Sequence, residues 1–313
     1  MNIKEIFLQL TSKTYPHGTE NELKQYLPEN INTDSFGNYY LNIGNSSTMF
    51  TAHLDTKSEK QENVNHIIKD NIISTDNNTI LGADNKAGVT ILLNMIKNKV
   101  PGLYYFFIGE EVGCLGSKEI SSDWYNNEFY NKIKRVITFD RKGYNSVITK
   151  QMYRSCCSDE FAEDLINKLS TSGLKFEKDP TGVWCDSAEF MDIIAETTNI
   201  SVGYSNEHTN NESQDIEFLE NLANAVCNID WESLPTVRDI DQEDYENDTI
   251  DNEYPQEQLE LETESINIWL KKTDIYPVIE NVYWNGNKLY LENKESIYYI
   301  GDRKYLKKNN AIK

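Results

Sequence analysis

Apolar and polar residues alternate along this chain in a regular succession of strand-like and helix-like patterns. "MNIKEIFLQLTSK" carries the spacing of a short amphipathic helix, and "HGTENELKQYL" offers Thr19 as N-cap with Glu22 three residues on, a capping box for a second helix. "DSFGNYYLNI" predicts a turn at Gly37-Asn38 entering a strand, "STMFTAHLDT" a further strand, and "VNHIIKDNIIST" a hairpin turning at Lys69 to Asn71. From Asp84, apolar residues at Ala87, Val89, Ile91, Leu92, Met95 and Ile96 define a helix, followed by the strand "LYYFFIG". Beyond it, "RVITFD" and "NISVGY" read as strands, and "SDEFAEDLINKL", "DSAEFMDII" and "QDIEFLENLANAV" as helices. Strands alternating with helices imply an α/β fold, a mostly parallel central sheet with helices on both faces.

The pattern changes near residue 237. Between Asp239 and Glu264 stand 12 acidic residues and no Lys or Arg, a block expected to remain a solvated, flexible linker over 237–264. From 265 to 313 strand-like alternation returns around Asn285-Gly286, a hairpin signal, and predicts a small β-rich region.

The formal net charge of −21 argues against a nucleic-acid partner, because phosphate binding needs clustered cations. No stretch approaches the ~20 apolar residues of a membrane span. The 5 cysteines form no C-x-x-C pair, and an odd count without a secretory leader predicts free thiols in a cytoplasm.

Candidate chemistry gathers where apolar strands end. "MFTAHLD" finishes in His53 and Asp55, "YYFFIGEE" in Glu110 and Glu111, and "VITFD" in Asp140, while "ISVGYSNEH" runs on to His208 and "LGADNKAG" supplies Asp84 before a helix. Ligands bind outside the carboxyl ends of parallel strands. These nitrogen and oxygen donors suit zinc or a similar divalent ion. His53 and Asp55 are two apart on a strand and point to one side, so Asp55 can hold the second imidazole nitrogen. Adjacent Glu110 and Glu111 point in different directions, which predicts different jobs. His17 and His66 read as surface or loop residues. Asp186 in "WCDSAEF" reads as a helix N-cap, and the vicinal Cys156-Cys157 as small buried hydrophobes.

"TAHLDT", "LGADNKAG", "GEEVGCLGS", "FD" and "NEHTNNE", in this order, resemble the motifs of the dinuclear zinc exopeptidase superfamily, which includes aminopeptidases, peptidase T-like tripeptidases and related deacylases. The resemblance covers roughly Ile3 to Val226, and its second and third motifs are most similar to the peptidase T-like branch. It implies a three-layer sandwich and two divalent ions, zinc or else cobalt or manganese. His53 and Asp140 would hold one ion and Glu111 and His208 the other, with Asp84 bridging. Glu110 is left as general base, Asp55 is counted with it as catalytic, and the resemblance also implies a cis peptide at Asp84-Asn85. The implied reaction is hydrolysis of the N-terminal amide bond of a short peptide through a metal-bridging hydroxide; removal of an acyl group from an N-acyl amino acid or peptide is the alternative, and a non-catalytic interaction protein the third.

Many relatives insert a lid or dimerisation domain before the last histidine. Here the interval from Asp140 to His208 is filled by the strand and helix pattern and leaves no room for one. The expected organisation is therefore a metallopeptidase-like domain over 1–236 without a lid insertion, the linker, and the β-rich region. Oligomeric state stays open at this level.

Overall fold

The computed structural model describes residues 2–152 and 154–240, together with the backbone of three strands farther on. The chain divides into two compact units, Met1–Asp244 and Tyr245–Lys313. The linker expected over 237–264 lies, beyond residue 240, outside the described residues.

In the first unit, eight strands form one sheet. They are β1 (Asn32–Thr33), β2 (Tyr39–Ile43), β3 (Thr48–His53), β4 (Gly102–Phe107), β5 (Arg135–Arg141), β6 (Ser146–Ile148), β7 (Glu177–Asp179) and β8 (Glu196–Ser201), in the spatial order β1-β2-β4-β3-β5-β8-β6-β7. The central neighbours β4, β3, β5 and β8 run parallel, whereas β1-β2, β2-β4 and β8-β6 pair antiparallel. The sheet is mixed.

Helices flank it. They are α1 (Ile3–Leu10), α2 (Ala83–Lys97), α3 (Leu115–Ser122), α4 (Asp159–Ser170) and α5 (Ile216–Ala225). Every residue of β3 and β4 is buried, as expected for strands covered on both sides. Alternate side chains feed two separate cores. Phe50, Tyr104, Phe106, Ile137 and Phe139 pack with Phe7, Leu92, Phe161 and Leu219 from four of the helices. Met49, Leu103, Tyr105, Phe107 and Val136 face the other way, toward Ile120 of α3, Trp124 and Phe190.

Side chains close three helix ends, and the hairpin at Lys69 to Asn71 is among the local expectations met. Asn2 and Glu5 form a capping box on α1, Ser158 caps α4 and Asp215 caps α5. The hairpin His66–Lys69 to Ile72–Thr75 turns through Asp70 and Asn71, both at positive φ.

Two are corrected. Glu20–Tyr26 is a 3-10 helix without a capping box, because Thr19 Oγ1 donates to Pro16 O, and Glu20 is drawn instead to His17 Nδ1 (2.8 Å) and the Gly18 N–H (2.6 Å). "NISVGY" is not one strand: β8 ends at Ser201, and Tyr204–Ser205 pairs with Ser213–Asp215 in a smaller sheet shared with the hairpin.

In the second unit, Asn281–Asn285, Lys288–Glu292 and Ile297–Asp302 form a three-stranded antiparallel sheet, with Asn285 opposite Lys288. The hairpin signal expected at Asn285-Gly286 lies, from residue 286, outside the described residues. Among the described residues no helix is long and apolar enough to cross a membrane.

Candidate metal centre

Strand register assembles the site. His53 pairs with Phe107, and Thr51 pairs with Thr138, so the carboxyl ends of β3, β4 and β5 lie abreast. The two residues past Thr51 and Thr138 are His53 and Asp140, and His53 Nε2 lies 3.6 Å from Asp140 Oδ1. Asp55 lies just beyond β3, fully buried. Its Oδ1 accepts from the Glu110 N–H and its Oδ2 from the Glu111 N–H, each at 3.0 Å, and Oδ1 is 3.3 Å from His53 Nδ1. One carboxylate thus fixes the backbone of the acidic pair and stands against an imidazole nitrogen that makes no hydrogen bond.

Asp84 lies in the non-helical first turn of α2, next to the loop that ends at Gly82, and the Asp84-Asn85 peptide is cis. Buried Glu212 grips this loop, accepting from the N–H of Gly82 (2.6 Å) and of Asp84 (2.9 Å). Gly88 allows the close approach: a Cβ there would fall 2.1 Å from Phe139 O. Asp140 is tethered through its N–H to Asn199 Oδ1 (2.9 Å), and Tyr204 OH donates to its carbonyl (2.9 Å).

Two poles result. At one, His53 Nε2 is 3.0 Å from Asp84 Oδ1, near Asp140. At the other, His208 Nε2 lies 3.1 Å from Asp84 Oδ2 and 3.2 Å from Glu111 Oε1. Glu110 Oε2 stands 3.9 Å from His53 Nε2, beside rather than between the poles.

Electrostatics show what this cluster requires. Burial pushes the Glu110 carboxyl up to about 9, helped by Asp140 and Asp186 and opposed by His53. Burial and Asp84 hold Asp140 well above the usual range. Burial would pull His53 down, but Asp140, Asp55 and Asp84 outweigh it and hold it well above 6.5. Close contact with the Asp84 and Glu111 carboxylates lifts His208 to about 10. Burial and mutual repulsion raise the pKa of Glu110 and Asp140, a strain that a bound cation would relieve.

Glu111 Oε1 is buried without a hydrogen-bond donor. Two imidazoles and several carboxylates form a nitrogen and oxygen donor set of the kind that holds zinc and its neighbours. The residues present therefore fit divalent ions, and the donor atoms of His53, Asp84 and Glu111 all lie within 4.8 Å of one another. His17, Glu20 and Asp55 make a second such group. There Asp55 is committed to two backbone N–H groups and Glu20 to His17 and Gly18, which gives this group a structural role.

The structure thus brings together His53, Asp55, Asp84, Glu110, Glu111, Asp140 and His208. Others were missed or misread. Lys86 is fully buried beneath the centre, donating to Asp55 O (3.0 Å) and Thr56 Oγ1 (3.1 Å), and burial pulls it down to about 8. Glu212 sat unassigned at the end of "NEHTNNE". Asp186 is no N-cap: its side chain makes no capping bond, is fully buried and accepts from Ser117 Oγ at 2.6 Å. His66 is half-buried on a strand, with Nε2 2.9 Å from Thr11 Oγ1. Cys156 and Cys157 are buried free thiols, as expected.

No family model matches the sequence. The uncharacterized protein YqjE of Bacillus subtilis is 37% identical over 78 residues, which is 23% of this chain and 21% of that protein. The match thus spans about a fifth of that relative's length. Solved structures resemble this one much more extensively. A tripeptidase from Staphylococcus aureus superposes with a TM-score of 0.60 at 17% identity, and aminopeptidase PepT from Bacillus cereus with 0.58 at 16%, each match covering 72% of this chain and 96% of the other. The TET1 peptidase of Pyrococcus horikoshii gives 0.54 at 15%, covering 72% and 98%. At these identities the shared property is the fold.

Proposed function

We propose that this chain is a metal-dependent exopeptidase that hydrolyses the N-terminal amide bond of short peptides. The observation that carries the reading is the placement of Asp84 between two imidazoles, with a separate, mostly buried carboxylate, Glu110, at its side. The fold likeness to an aminopeptidase and a tripeptidase supports it.

His53 and Asp140 would hold one divalent ion, His208 and Glu111 a second, with Asp84 shared; zinc suits the donors best, and cobalt or manganese can share them. When bound, such ions supply Lewis acidity, which polarises a carbonyl and acidifies water. The remaining work belongs to the chain. Asp55 stands 3.3 Å from His53 Nδ1, where it would hold a protonated or metal-bound imidazole, and Nε2 is directed at Asp84 and Asp140. By fixing the backbone at residues 110 and 111, it also sends the two glutamates to separate tasks. Glu111 turns toward His208, and Glu110 is left to accept the proton of the attacking water and pass it to the departing amine. The five cysteines are all free thiols, which suits a reducing cytoplasm.

The test follows zinc-loaded protein on short peptides, free-amine and N-acetylated, by mass spectrometry. Stepwise loss of N-terminal residues from the free-amine set alone is the expected result, and Glu110→Gln should slow it by ~10²- to 10⁴-fold with metal content unchanged. Release of acetyl groups with the peptide left intact would make the protein a deacylase. Full activity in Glu110→Gln would remove the assigned base.

A further inference from the structure

Beside the acidic centre opens a cavity of about 230 Å³. Ile148, Gln151, Cys185 and Asn199 line its inner part, and the loop bearing Val183 and Trp184 contributes a second wall. The polar groups of the inner part are already engaged with one another. Gln151 Nε2 donates to Ser187 Oγ (2.9 Å), Gln151 Oε1 accepts from Cys185 Sγ (3.0 Å), and Asn199 Oδ1 accepts from the Asp140 N–H (2.9 Å). The paired polar atoms of this inner part offer a charged group no free partner, and an anion would also meet the carboxylates of Asp84, Glu110 and Asp140 that line the same cavity.

The loop wall is apolar and open to solvent, with Val183 62% and Trp184 45% exposed. It is also held firmly. Arg141 Nη2 donates to Asp179 Oδ2 (3.2 Å) and Thr181 Oγ1 (3.0 Å), Gly182 exchanges backbone hydrogen bonds with Lys150 O and the Met152 N–H, and Trp184 Nε1 donates to Glu189 Oε1 (2.6 Å). Gly182 packs so closely that a Cβ would lie 2.5 Å from both Ile148 Cγ2 and Lys150 O. Large apolar side chains fixed in water at the mouth of a catalytic cavity are a surface built for a ligand. The nearby cations do not alter its character, because Arg141 is paired with Asp179 and Lys142 Nζ with Glu207 Oε1 (2.6 Å).

We propose that Val183, Trp184 and Ile148 form a specificity pocket for an uncharged, apolar N-terminal side chain of the substrate, with Arg141 as the positioning residue that holds the loop. This rests on the exopeptidase reading.

The test uses zinc-loaded full-length protein and free-amine peptides X-Ala-Ala, where X is Leu, Phe, Gly, Asp or Lys. Leu and Phe peptides should exceed the Gly, Asp and Lys peptides in kcat/KM by about tenfold or more. In the double variant Val183→Ser/Trp184→Ala, both positions being exposed, that ratio should fall to within about threefold of unity without a lower melting temperature. Arg141→Met should raise KM for Leu and Phe peptides more than it lowers kcat, and Arg141→Lys should restore part of the loss. A preference for the Asp peptide, or a ratio unmoved in the double variant, overturns the pocket. If no peptide is cleaved, the exopeptidase reading falls, and calorimetric titration of the same peptides decides the pocket separately. Tighter binding of Leu and Phe peptides keeps it, and equal binding removes it.

Discussion

Asp84 meets His53 through Oδ1 at 3.0 Å and His208 through Oδ2 at 3.1 Å. A single carboxylate therefore stands between imidazoles from distant parts of the chain, and its removal should uncouple two poles at once. Asp84→Asn keeps the size of the side chain but loses the charge that both poles share. Zinc-reconstituted wild-type protein should hold about two ions per chain, and Asp84→Asn about one or none, by elemental analysis after dialysis. Zinc should also raise the melting temperature of the wild type and leave that of the variant nearly unmoved. Equal zinc content in the two proteins would disprove the shared ligand.

Asp55 offers a second, separable test, since it acts through hydrogen bonds to the N–H groups of Glu110 and Glu111 and through its contact with His53. Asp55→Ala leaves two buried donors without their charged acceptor. Charge-assisted bonds of this kind contribute ~1.5 to 3 kcal/mol each, so urea denaturation should show a loss on the order of 3 kcal/mol. Zinc affinity should weaken as well, about 10- to 100-fold, because His53 is no longer held in one orientation. A variant with wild-type stability and affinity would show that Asp55 is incidental to the centre.

Most of the candidate residues were legible in the sequence because His53, Asp55, Glu110, Glu111 and Asp140 stand where apolar runs stop, and strand ends are visible as changes of pattern. The register that sets β3, β4 and β5 level was not written in any one segment, yet parallel strands of similar length left few alternatives. Lys86 escaped notice for a physical reason: a lysine in a helix is usually solvated, and its burial here depends on the Asp55 carbonyl and Thr56 hydroxyl some 30 residues earlier. Glu212 likewise stood in a polar loop, and its partners, the N–H groups of Gly82 and Asp84, are about 130 residues away. Asp186 and Thr19 failed as caps through competition, because each side chain had a stronger local or buried partner than the helix end. Local rules find ends of elements; they do not reveal which acid the tertiary fold will bury.

His66 supplies a pH test away from the centre. Burial is the leading influence and lowers its pKa from 6.5, with the bond to Thr11 opposing. Its folded form therefore favours the neutral ring. The associated stability is complete above about pH 6.5 and is lost as pH falls through the lower folded value. Histidine NMR signals, assigned with a His66→Asn variant, should show a midpoint below 6.5 for this residue. A midpoint above 6.5 would contradict the burial argument.

The last prediction concerns the end of the first unit, where Glu196 and Arg238 fasten the chain without touching the chemistry. Glu196 is the first residue of β8, at the end of the sheet opposite the centre, and is fully buried. Its Oε1 accepts from the N–H groups of Val237 (2.8 Å) and Arg238 (3.0 Å) and its Oε2 from the N–H of Ser158 (2.7 Å). Arg238 in turn donates to the carbonyls of Ala195, Ser155, Met191 and Ile194. A guanidinium suits this task because its planar fork serves several acceptors in fixed directions, which a methionine of similar length cannot do. Glu196→Gln presents an amide donor to backbone donors, and Arg238→Met leaves four carbonyls without their partner. Each should cost about 2 kcal/mol or more in urea unfolding, with kcat per folded molecule and zinc content at wild-type values. Protease should also cut the variants sooner near residue 238, since that segment is held chiefly by these bonds. Wild-type unfolding midpoints in both variants would mean that the segment is secured by packing instead.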